Sequence, residues 1–286
     1  MQLHEPTQRA VPDSGCAGYP ARMPIDFQDL TGRNYSGQDL RGRDFSGQDL
    51  SDADLRGADL TGANLNGANL NYAGAECATL TNATLRGAFL YCTDLERANL
   101  RGADLTGASM FGALLTGADL ERATLTDATL SCAQLQMANL LNANLSNANL
   151  GRGDFDTTDF ATGLIRRLQK NPNHSTALTG ADLRGANLTN ADLSDATLWG
   201  AKLTRALLRG AKLTRAVLVD ADLRGADLYY SSLSGANLSG ANLSGADLSG
   251  ANLSGANLTN AFRHPGIRRA ELQGAKGVDT VEGLVD

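Results

Sequence analysis

Leucine recurs at every fifth position for most of this chain, and a small residue stands two places before it, as in Ala58-Asp59-Leu60-Thr61-Gly62. Counting in fives from Leu30 to Phe160 and from Leu178 to Leu258 gives 44 central positions, of which 38 are Leu. The exceptions are Tyr35, Phe45, Ala75, Met110, Phe155 and Phe160. From Ala53 onward the residue two places earlier is Ala except at Thr93, Gly153, Thr158, Thr176 and Ser231. A period of five suits neither a helix, which repeats near 3.6, nor a strand, which alternates at two. It does suit a short extended stretch, whose residues two apart point the same way, followed by a turn. Repetition of that unit winds the chain into a solenoid whose coils hydrogen-bond to their neighbours. Leu60, Leu105, Leu145, Leu203 and Leu243 are then core residues. The glycines that fall two places after the centre mark corners that need a permissive backbone.

Units such as Ala-Asp-Leu-Arg-Gly at 181–185 and Ala-Asn-Leu-Ser-Gly at 236–240 resemble those of the pentapeptide repeat proteins over about four-fifths of the chain. The resemblance implies an all-β right-handed quadrilateral β-helix, with four units per square coil and residues twenty apart stacked. With 44 units that is about 11 coils, and at about 4.8 Å per coil a rod about 53 Å long.

Five parts follow from the pattern. Residues 1–24 carry four prolines and no repeat, and read as a flexible arm. Residues 25–160 form the first β-helix segment. Its opening units place Gln28, Arg33, Gln38, Arg43 and Gln48 where later units have Ala, as a cap over the open end or as a wider first coil. The 18-residue spacing from Phe160 to Leu178 fits no multiple of five, so 161–177 is an inserted loop, basic through Arg166, Arg167 and Lys170. Residues 178–260 form the second segment, and 261–286 a C-terminal cap or dimerisation segment.

Composition narrows the chemistry. The 286 residues contain no run of 18 apolar residues, and Met1–Pro24 lacks the apolar core of a secretory signal, so a cytoplasmic location is expected, with a secreted bacterial effector as the alternative. The four cysteines, Cys16, Cys77, Cys92 and Cys132, form no metal-binding spacing and are expected as free thiols. Cys92 and Cys132 fall two coils apart, about 9.6 Å by the coil spacing, beyond the roughly 7 Å limit of a disulfide. His4, His174 and His264 lie off the repeat, so no nucleophile and base can be paired on the rod, and no enzyme activity, cofactor or metal is assigned. Asp39, Asp59, Asp119 and Asp159 differ by multiples of twenty and are expected in one column with Thr79, Asn99 and Asn139.

Surface shape and charge remain. The resemblance implies a non-enzymatic binding protein, and its quinolone-resistance branch implies DNA gyrase or another type II topoisomerase as partner, met by partial DNA mimicry that lessens the action of a gyrase inhibitor. Duplex DNA about 53 Å long carries roughly 31 negative charges. This chain has 31 acids but 25 bases, a net of -6, so mimicry must be local. Asp39, Asp44, Asp49 and Asp59 belong to the acidic opening coils and are candidate partner-binding residues. Lys202, Arg205, Arg209, Lys212 and Arg215 form a basic belt beside Trp199, dispersed round a coil or gathered in a patch; Trp199, Arg205 and Arg209 are candidates there. Tyr229 and Tyr230 point outward. The alternative is a rigid scaffold or secreted effector that binds another protein through its termini. No membrane and no direct nucleic-acid contact is expected, and homodimerisation through the C-terminal segment is the family's route to self-association.

Overall fold

The computed structural model describes residues 30–151 and 175–261. Within them every unit repeats one conformation, and its hydrogen bonds account for that conformation. In the unit centred on Leu60, the Ala58 N–H donates back to the Leu55 carbonyl at 3.0 Å and closes a turn. The Asp59 N–H donates to Gln38 in the coil before, while the Leu60 and Gly62 N–H groups donate to Thr79 and Thr81 in the coil after. One amide of the five is left, that of Thr61, and the Asp59 Oδ1 accepts it at 3.0 Å. All five donors are satisfied, as buried backbone requires. Asp and Asn recur before the central residue because a short side chain there reaches the amide two places on.

Parallel bridges join residues twenty apart in four columns, beginning at Asn34, Asp39, Asp44 and Asp49. These define sides one to four of a square coil. Each side carries a single bridging residue between two turns, so among the described residues no extended strand forms; the sheets are ladders of isolated bridges. The residue two places after each centre takes a positive φ, with a hydrogen bond across the turn, the signature of a type II corner. Gly occupies many corners, but Arg97, Met137, Arg205 and Tyr230 adopt the same conformation at φ 56, 58, 57 and 55°.

The interior is a stack of Leu with Ala beside it. Leu60, Leu105, Leu145 and Leu203 are fully buried and Leu243 is nearly so. In the first coil Arg33 and Gln38 are half-buried and Arg43 and Gln48 exposed, while Gln28 lies outside the described residues. Buried Tyr35 and Phe45 occupy central positions in that coil. Thr93 and Thr176, at positions otherwise held by Ala, are buried and donate to the carbonyls of Leu70 and Leu130 at 2.7 and 2.9 Å.

The break in the repeat keeps the stack intact. Gln134, Asn139, Asn144 and Asn149 bridge to Ala177, Asp182, Asn187 and Asp192, a step of 43 in place of 20. Leu178 therefore stacks over Leu135, in the place a strict count of twenty gives Phe155. Asp182 likewise follows Asn139 in the column that the sequence pattern continues through Asp159. The interruption opens at one corner, between Gly151 and Ser175. Phe155, Asp159 and Phe160, with the terminal segments 1–24 and 261–286 apart from Ala261, lie outside the described residues.

Candidate functional site

The candidate acids separate onto different sides. Asp39 and Asp59 bridge to each other on side two, Asp44 stands on side three and Asp49 on side four. Each is engaged by its own turn. Arg41 forks onto Asp39, with Nη2 at 2.6 Å and Nε at 2.8 Å, and that pair holds the Asp39 carboxyl down at about 2. The Arg41 Nε also lies 3.7 Å from Asp59 Oδ2. Hydroxyls of Ser46, donating at 2.7 Å, and Ser51 lower the pKa of Asp44 and Asp49, while Asn64 and Asn69 donate to them from the next coil at 3.0 Å each. No single acidic face is assembled from these four residues.

The basic belt is also spread round its coil. Arg209 pairs with Asp227 at the corner after side three and lies 5.7 Å over the Tyr229 ring. Lys212 reaches Asp192 at 3.5 Å on side four, and Arg215 reaches Asp195 at 2.7 Å at the next corner. Such exposed pairs contribute about 0–1 kcal/mol each. Trp199 is 55% exposed, and its indole N–H donates to Asp220 at 3.2 Å. Arg166, Arg167 and Lys170 lie outside the described residues.

One member of the belt, Arg205, instead meets arginines from the coils before and after its own. The corner after side two opens into a groove of about 590 Å³, lined by Leu141, Arg184, Thr204, Arg205, Arg224 and Ser244 among others. Arg184 and Arg224 fork onto Asp182 and Asp222 and lower both carboxyls. Arg205, between them, has no ion-pair partner among the described residues. Arg184 and Arg224 went unremarked in the sequence, although their spacing of 40 places them two coils apart on one corner.

A second cluster also went unremarked. Tyr72, Tyr91 and Phe111 cluster at the corner after side four, Tyr72 edge-on to Tyr91 with centroids 5.6 Å apart and Tyr91 stacked on Phe111 at 5.3 Å. The signal was Tyr91 and Phe111 twenty apart. Cys92 and Cys132 on this corner are buried and not disulfide-bonded. Cys77, at the corner after side one, is disulfide-bonded, which corrects the free-thiol expectation for that residue. Among the described residues no group of three or more His, Cys, Asp or Glu could hold a metal ion, and no helix is long and apolar enough to cross a membrane.

The family described as Pentapeptide repeats matches residues 39–73, 78–117, 103–140, 174–210, 191–228, 201–240 and 231–262. Among solved structures, HetL, a pentapeptide repeat protein involved in heterocyst differentiation regulation from the cyanobacterium Nostoc, is 34% identical. The match covers 81% of this chain and 91% of HetL, with a TM-score of 0.44. QnrB1, a plasmid-mediated fluoroquinolone resistance protein, is 22% identical over 68% of this chain and 84% of its own, with a TM-score of 0.34. Rfr23, from the cyanobacterium Cyanothece, is 26% identical over 50% and 89%, with a TM-score of 0.31. No curated protein matches the chain. The family match, which spans more than half of the chain, establishes that this chain belongs to the pentapeptide repeat family.

Proposed function

We propose that the chain is a non-catalytic binding protein whose rod presents a rigid, pre-ordered surface to a protein partner. The observation that supports this reading is the hydrogen-bonded state of the outward polar groups. Asp and Asn side chains on the rod are already tied to their turns, so fewer rotamers are lost on docking, at about 0.5–1.5 kcal/mol for each side chain that would otherwise be immobilised.

The specific partner proposed is DNA gyrase or another type II topoisomerase, with partial DNA mimicry lessening the action of an inhibitor. Support comes from family membership, from the fluoroquinolone resistance named for QnrB1, and from the acids of the opening coils. The distribution of Asp39, Asp44, Asp49 and Asp59 over three sides favours a second reading, a rigid scaffold or secreted effector that binds another protein through its termini. A gyrase supercoiling assay with and without a fluoroquinolone separates the two. Rescue of supercoiling, or its inhibition at low protein concentration, supports the topoisomerase reading. No effect at roughly tens of micromolar transfers the assignment to the scaffold, whose partner a pull-down with the full chain then identifies.

A further inference from the structure

We infer that the groove at the corner after side two, centred on Arg205, docks an extended acidic segment of a partner protein. The inference rests on the binding-protein reading and gives its partner a chemistry. Along one coil Trp199, Lys202 and Arg205 stand in that order on and beside side two, with Trp199 at one corner, Lys202 bridging in the middle and Arg205 at the other corner. Arg184 and Arg224 occupy the same corner one coil before and one coil after Arg205.

Charge complementarity selects the occupant. Lys202 bridges to Asp182 on one side and Asp222 on the other, but both carboxylates are taken by Arg184 and Arg224. The patch of Arg184, Lys202, Arg205 and Arg224 against Asp182 and Asp222 therefore keeps an excess of two positive charges on a chain of net -6. The Arg205 stem lies across the next corner, since a Cβ on Gly225 would stand 3.6 Å from its Cγ. Arg205 lines the groove, and Gly185, Gly225 and Gly245 keep its floor low. Planar guanidinium groups one coil apart suit carboxylates, which they bind by paired N–H donors.

Size and surroundings select a peptide over a nucleic acid. The groove runs from Leu141 to Ser244 across four coil steps, about 19 Å, which about six extended residues span. A phosphate backbone leaving it sideways would meet Asp220 at the corner after side one and Asp227 on side three, where a short acidic peptide ends first.

Trp199 is the chain's single tryptophan and reports on the site by its fluorescence. The full-length chain is titrated with an eight-residue peptide alternating Glu and Ala, with its Gln counterpart, and with a short DNA duplex, at low salt. Saturable binding of the Glu peptide alone is expected, with Kd raised about tenfold in Arg205→Asn, as for loss of one charge-assisted hydrogen bond. Arg205→Glu abolishes it. Asn tolerates the left-handed corner, so both the melting temperature and the circular dichroism of Arg205→Asn match the parent and a lost signal is not a lost fold. Equal binding of the Gln peptide, binding unchanged in both variants, or no binding at millimolar peptide overturns the proposal. Tighter binding of the duplex, lost in the same variants, overturns it in favour of nucleic acid. A negative supercoiling result leaves the groove untouched, and a failed titration beside a positive pull-down removes the groove but not the binding-protein reading.

Discussion

Met137 and Gly180 are 43 residues apart, yet the Met137 sulfur lies 2.6 Å from the point that a Cβ on Gly180 would occupy. Arg97 and Gly117, twenty apart, repeat the relationship with the Arg97 Cγ at 3.6 Å. A long side chain at a left-handed corner leans over the corner of the next coil, where a glycine leaves room.

Two kinds of glycine therefore differ in cost. Gly62 has φ +66° and nothing within 4 Å of an added Cβ, so Gly62→Ala carries only the left-handed penalty, about 1–2 kcal/mol. Gly180→Ala adds the displacement of Met137 and costs about 1 kcal/mol more. Chemical denaturation of Gly180→Ala, Met137→Gly and their double variant checks this, because the double variant recovers the excess as a coupling energy.

At the core, Leu105→Ala costs about 2–5 kcal/mol, and Leu105→Asp places an unpaired charge among fully buried side chains and unfolds the adjacent coils. The expected result is loss of the β-helix circular dichroism signal. A retained signal and melting temperature would reject the inward register.

Ser231 holds an inward position that is Ala in every later unit, and its buried hydroxyl oxygen has no hydrogen-bond partner among the described residues. Ser231→Ala removes that desolvated group and stabilises the chain by about 1 kcal/mol. Thermal melts show the change as a higher Tm, while Thr93→Ala, whose hydroxyl is satisfied by Leu70, lowers it.

Asp94 supplies a pH dependence. Burial raises its carboxyl to about 6, with neighbouring Glu76 adding to the rise against the Glu96 N–H, which favours the charged form. The folded chain therefore holds this proton more tightly than the unfolded chain, and the contribution to stability is largest below about pH 4 and is lost as pH rises through 6. Asp94→Asn keeps the oxygen that accepts from Glu96 and removes the charge. It is expected to gain stability over the parent above pH 6, by at most about 3 kcal/mol, and to gain none near pH 3.5. Urea titrations at the two pH values test the sign.

Deleting residues 152–174 converts the step of 43 into one of 20. Joined with Ser175→Gly to suit the left-handed corner, the shortened chain is expected to keep its circular dichroism and a single cooperative melt. Two separate melts would show that the two segments no longer share one stack.

The period, the inward Leu and Ala and the permissive corners were legible because each is imposed by a backbone geometry that recurs without change. The register at the break was not. Phe155 and Phe160 keep the spacing of five and the apolar character, and only the bridge from Gln134 to Ala177 shows that Leu178 stands over Leu135. Candidate sites were less legible still, because the sequence groups neighbours along the chain while the rod groups residues twenty apart. Asp39, Asp44 and Asp49 look clustered and face three directions, whereas Arg184 and Arg224 look remote and flank Arg205 on one edge. The acids also carry a meaning that charge counting misses, since Asp59 and its equivalents satisfy the one amide that neighbouring coils leave over.

The detour between Gly151 and Ser175 begins and ends within a single corner, and the coil on each side is undisturbed. Because all corners of the described coils share that geometry, the architecture behaves as a pegboard: foreign sequence can be grafted at any edge, at heights graduated by the coil spacing, without altering the frame that carries it. Lineages of such rods are free to acquire new recognition loops one at a time, and a designer is free to set two of them at a chosen separation and a chosen quarter-turn.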